Sequence, residues 1–146
     1  MSLHLGAGAI DRRWVRRYPD KYTDNGETYM DTTLPPYSAI PSYDSDWLLD
    51  SSAYRAGLFN GAHPEEIVLS NGLLSRTFRL GPNAATVGLD SGVNGTALLR
   101  GIKPEARIQI DGTSCDIGGL IGQEEYAYLR REWIDSFKRD PAAFRL

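Results

Sequence analysis

The 146 residues carry 41% hydrophobic and 24% charged side chains at a net charge of -3. These values exclude a disordered tail, give no strong positive field for gathering nucleic acid or anionic lipid, and suit one domain burying roughly two-thirds of its unfolded surface. Cys115 is the single cysteine, which excludes an intramolecular disulfide and a multi-cysteine zinc site and reads as a buried thiol.

The opening stretch Leu3 to Asp11 has the outline of a dinucleotide-binding fingerprint, but Asp11 stands at its third glycine position. A carboxylate there would repel a pyrophosphate, and no βαβ pattern follows, so no nucleotide cofactor is expected. Ile10, Trp14 and Tyr18 recur at i, i+4 and i+8, predicting a short helix from near Asp11 that Pro19 ends. Arg12, Arg13, Arg16 and Arg17 then form its solvated face. The N-terminus lacks a signal-peptide pattern, and no apolar run approaches the ~20 residues that cross a bilayer. Neither nucleic acid nor membrane is an expected partner, and a secretion signal is expected outside this chain.

Residues 1–60 read as a turn-rich extension, with Leu34-Pro35-Pro36-Tyr37 and Ile40-Pro41-Ser42-Tyr43 disfavouring helix before each proline. Residues 61–146 read as the β-rich portion of one compact domain. Glu66 to Ser70 and Leu73 to Leu80 predict a hairpin around Asn71-Gly72, Ala84 to Leu89 a third strand, and Thr96 to Arg100 a fourth. In Ala106 to Ile110 strict alternation predicts a core face of Ala106, Ile108 and Ile110 and a wet face of Arg107 and Gln109, closed by an Asp111-Gly112 turn. Tyr126, Leu129, Trp133 and Phe137 predict a helix over 123–138. With no long helical crossovers, the pattern implies a mainly β fold, an antiparallel β-sandwich with one or two peripheral short helices.

Chemical signals are sparse. His4 and His63 are the only histidines, and neither sits in a triad-like context, so no catalytic residue is assigned. Asp44, Asp46 and Asp50 lack the glycine and distal glutamate of a calcium loop and read as an acidic loop, so no metal is expected. Asn94-Gly95-Thr96 matches a glycosylation acceptor, a triplet common by chance. Trp47, Tyr54, Tyr126, Tyr128 and Trp133 could present flat apolar faces to a sugar ring. The helix stripe, which Tyr128 broadens, favours packing for Tyr126 and Trp133, and Trp47 and Tyr54 in the turn-rich segment are the candidate carbohydrate-binding residues.

Glu66 to Phe78 followed by Pro82 to Val87, then Leu98 to Ala106 and Gly118 to Gln123, resembles the N-terminal β-sandwich of α-galactosidase-like glycoside hydrolases and of large bacterial carbohydrate-active proteins. The resemblance spans roughly residues 65–137. It implies a non-catalytic module beside a catalytic domain of the same parent chain, glycan as a candidate ligand, and an extracellular or periplasmic setting. The catalytic barrel of that family has no counterpart here, so none of its catalytic residues carries over. Two alternatives remain at this point: an independent carbohydrate-binding module, and a small glycoside hydrolase using unidentified carboxylates.

Overall fold

The computed structural model describes residues 34–38 and 46–144. The helix expected from Asp11, the arginine cluster, His4 and Asp44 lie outside the described residues. The fold is mainly β and antiparallel. Strands β1 (Gly57–Asn60), β2 (Glu66–Ser70), β3 (Leu74–Arg79) and β4 (Ala85–Ser91) form a four-stranded sheet in that order. β5 (Ala106–Ile110) pairs with β6 (Thr113–Ile117), and β7 (Leu120–Ile121) with β8 (Lys138–Arg139).

The sheet starts within the stretch expected to wrap it. Gly57 to Asn60 holds only Leu58 and Phe59 as large apolar residues, too few for alternation to show. Pairing completes it: β1 runs against β2, while Pro36 bridges Asn60 in parallel from the proline-rich segment. The amide of Asn60 donates to the Pro35 carbonyl and that of Tyr37 to the Asn60 carbonyl, and the Tyr37 ring meets Phe59 edge-on at 5.7 Å. The outer edge of β1 is thus partly covered, which limits open-edge pairing with other chains.

The β2–β3 hairpin turns one residue later than expected. Ser70 faces Ser75, so Gly72 and Leu73 are the central pair, and Gly72 carries φ +87 at the first central position as a II′ turn requires. The Asn71 side chain accepts the Leu73 and Leu74 amides at 3.1 and 2.9 Å. Across β3 and β4 the register shifts between Thr77 and Phe78, so that Val87 is the extra residue and both Val87 and Gly88 are buried.

Which face the hairpin buries differs from a binary reading. Glu66, Val68 and Ser70 of β2 and Ser75, Thr77 and Arg79 of β3 are buried, whereas Leu58, Leu69 and Leu74 are exposed. The apolar core lies at one end of this inner face: Ala85 and Val87 of β4 pack with Ile102, Leu120, Ile134 and Phe137, flanked by Leu129 and Trp133.

Three further expectations are corrected. The helix over 123–138 is reduced to a 3-10 helix, Arg131–Ser136. Gly122 and Tyr126 both have positive φ, incompatible with a right-handed helix through them, although Leu129, Trp133 and Phe137 still meet the core. The stretch 96–100 makes a single bridge, Asp90 to Ala97, and no strand. Finally, Ala106 and Ile110 do not face a core: both are exposed and Ile108 is half-buried. Within the described residues β5 pairs with β6 alone, and the ribbon's other edge meets Phe144 through a parallel bridge at Ile117. Its turn is as expected, with Asp111 at φ +49 and Gly112 at φ +81, the two positive values of a type I′ hairpin.

Candidate functional site

Trp47 and Tyr54 each stand on their own turn. Asp46 organises the first: its carbonyl accepts the Leu49 and Asp50 amides, and its carboxylate accepts the Leu48 amide at 2.9 Å. Trp47, Leu48 and Leu49 are exposed as a result. Asp50 accepts the Ser52 amide at 2.9 Å, and this bond, with the Ser52 hydroxyl, holds its carboxyl below the usual range. Tyr54 is half-buried, its amide donating to the Ser51 carbonyl. The aspartates of this segment are turn formers, and among the described residues no group of metal-ligating side chains converges.

The groups best suited to acid–base chemistry are gathered in a network under the sheet. Glu66, with a side chain 1% exposed, receives Arg79 Nη2 at 3.1 Å on one oxygen and Arg131 Nη2 at 2.7 Å on the other. Arg79, 7% exposed, also donates to Asp135 at 2.7 Å. Burial works against its charge, but the hydrogen bonds to Asp135 and Glu66 outweigh it and raise its affinity for the proton. The same bond from Arg79 holds the Asp135 carboxyl below the usual range. His63 accepts the Glu65 amide on Nδ1 at 3.1 Å and turns Nε2 towards Asp135 at 3.9 Å. Both carboxylates are therefore bound by guanidinium and His63 Nδ1 is occupied, so the arrangement is a strut joining β2, β3 and the 3-10 helix. Sequence reading missed it because Glu66 and Arg79 look like the solvent-facing ends of two strands.

A second set lies on the surface between residues 100 and 133. The Gln123 side chain ties two segments together: Oε1 accepts the Ile102 amide at 3.0 Å, while Nε2 donates to the carbonyls of Arg100 at 3.1 Å and Ala127 at 2.8 Å. The Leu129 amide adds a bond to the Arg100 carbonyl at 3.0 Å. On the turn so fastened, Tyr126 is fully exposed at φ +61, and Tyr128 is 75% exposed with the Arg100 guanidinium 5.5 Å over its ring. A left-handed backbone costs a residue with a Cβ about 1–2 kcal/mol, and such strain is concentrated at functional positions. Trp133, by contrast, is half-buried against the core with Arg130 over its ring at 5.5 Å.

No family model, curated protein or solved structure matches the chain.

Tyr126 thus departs from the packing role its spacing suggested, whereas Trp133 keeps it. The signal in the sequence was the run Gly122 to Tyr128, in which a glycine and two glutamates precede the aromatic pair. The surface offers exposed, flat, apolar rings beside the Arg100 guanidinium, an arrangement suited to a ligand with one apolar face and many hydroxyls.

Proposed function

We propose that this chain is a non-catalytic accessory β module of a larger carbohydrate-active protein, and that it contacts glycan through the Tyr126–Tyr128 turn. The observation that carries the reading is Tyr126: a large aromatic ring held wholly in solvent on strained backbone, on a turn that Gln123 fastens at three points. Packing gives no return for that strain, whereas a turn whose backbone is already fastened lowers the ordering cost of binding. Trp47, exposed on its own turn, and Tyr54 are the second candidate contacts. The resemblance of residues 65–137 supports glycan as the ligand and a catalytic domain of the same parent chain as the neighbour. The Glu66–Arg79–Asp135 strut supports an accessory role, since it commits the buried acidic groups to architecture. The independent carbohydrate-binding module is the second reading, favoured by the same exposed tyrosines, because these would bind glycan without a neighbouring domain. Binding of the full chain to a glycan array tests the ligand class. Retention of a glycan by the wild type and its loss by Tyr128→Ala is the expected result; an array blank for the folded wild type overturns the glycan assignment.

A further inference from the structure

The segment 99–105 walls a second feature. Between it and β4 lies an open cleft of about 280 Å³, near the lower end of ligand pockets, ~300–1,000 Å³. Leu89 and Leu99 give it apolar sides, and Arg76, Lys103 and Glu105 are its charged groups. Glu105 is spent: one oxygen accepts the Thr86 amide at 2.5 Å, and the other accepts Arg76 Nη2 at 2.5 Å and the Thr86 hydroxyl at 3.1 Å. Arg76 Nε donates to the Thr86 hydroxyl at 2.9 Å, and the guanidinium lies 4.5 Å over the Phe78 ring. Those contacts fix the guanidinium plane and use the Nε hydrogen and one hydrogen of Nη2, leaving the Nη1 hydrogens and the second Nη2 hydrogen for a ligand on a half-exposed side chain. Lys103 is exposed and makes no ion pair among the described residues. Two cations against one saturated carboxylate leave the cleft with one positive charge over an apolar floor.

We infer that this cleft binds an organic carboxylate carried on an apolar, ring-sized body. Resting on the glycan reading, the natural form of that ligand is a uronate unit of an acidic polysaccharide. The carboxylate lies between Lys103 Nζ and the Nη1–Nη2 edge of Arg76, and the ring lies along Leu89 and Leu99. A single ammonium would attract any anion, but a guanidinium held in one plane by Thr86, Glu105 and Phe78 favours a planar carboxylate. Gly101 connects the two surfaces: it lines the cleft, and a Cβ there would stand 3.2 Å from the Gln123 amide that holds the tyrosine turn. One acidic glycan could therefore run from the cleft to Tyr128.

The test is an amide chemical-shift titration of the full, isotopically labelled chain with galacturonate, galactose and cyclohexanecarboxylate separately. Galacturonate and cyclohexanecarboxylate are expected to shift the amides of Thr86, Gly101 and Glu105, and galactose to leave them in place. Lys103→Gln, which removes an exposed charge that makes no ion pair among the described residues, should weaken galacturonate about fivefold, and about a tenfold rise in salt should weaken it further. Equal cleft shifts with galactose and galacturonate, or a Lys103→Gln chain that binds like the wild type, overturns the inference. Cleft shifts with cyclohexanecarboxylate alone support the carboxylate site while sinking the glycan reading. Sugar-induced shifts confined to Tyr126 and Tyr128 support the glycan reading and overturn the cleft.

Discussion

Replacing Glu66 by Leu removes a carboxylate that is 1% exposed and bonded to two guanidiniums. Arg131 is more than half exposed and can turn to water, but Arg79 cannot. Among the described residues Arg79 then keeps Asp135 as its one charge partner, and its Nε lacks a hydrogen-bond partner. Stripping one member from a buried pair costs ~3–5 kcal/mol, and the surviving Asp135 bond puts Glu66→Leu near the lower end, about 3 kcal/mol. At this chain length that corresponds to a fall in Tm of about 6–12 °C. Arg79→Met should cost about as much, since it leaves buried Glu66 with half-exposed Arg131 and the His63 amide on one oxygen and strips the other of its guanidinium. The double variant should return to within about 1 kcal/mol of the wild type, because two apolar side chains then fill the space and no buried charge remains. Urea unfolding followed by circular dichroism measures all four chains. If the double variant is as unstable as the sum of the singles, about 6 kcal/mol, the two residues act separately and the strut is misread.

Acid should loosen the same strut: the Asp135 pKa is lowered in the folded state, so its contribution is present above the unfolded value of 3.8 and fades as pH falls through the folded value. Unfolding curves taken across the acid range should lose stability less steeply in Asp135→Asn than in the wild type, and parallel curves would refute the assignment. In the β5–β6 ribbon, Ile108→Ala should cost about 1–2 kcal/mol, below the ~2–5 of a fully buried isoleucine, and Ile110→Thr less than about 0.5 kcal/mol; chemical denaturation reads both. Gly112→Ala meets no atom within 4 Å, so its loss of about 1–2 kcal/mol comes from the left-handed backbone alone, and thermal melting with no change would contradict the I′ turn.

The strands of the hairpin and of β5 were legible because alternation and turn pairs mark them. Which face they bury was not. Ile67, Leu69, Leu74 and Phe78 advertise an apolar side, yet the chain turns Glu66, Ser75, Thr77 and Arg79 inward. The deciding partners, Arg131 and Asp135, lie 65 residues from Glu66 and 56 from Arg79, beyond the reach of a local pattern. β6, with the sequence TSCDI, carries little strand signal and forms through its register with β5. The helix over 123–138 had the right period in Leu129, Trp133 and Phe137. It fails locally because the Gln123 amide bonds the backbone of a different segment, and Tyr126 takes a conformation that a helix cannot include. The same failure is what brings the tyrosine turn to the surface.

The most direct test of the central claim is Tyr126→Gly, measured for both glycan binding and stability. Glycine accepts φ +61 without the Cβ penalty, and the exposed ring has no packing to lose, so stability should stay within about 1 kcal/mol of the wild type. Glycan binding on the array should vanish. Full binding by this variant would contradict the account, because the strained ring would then have no part in recognition.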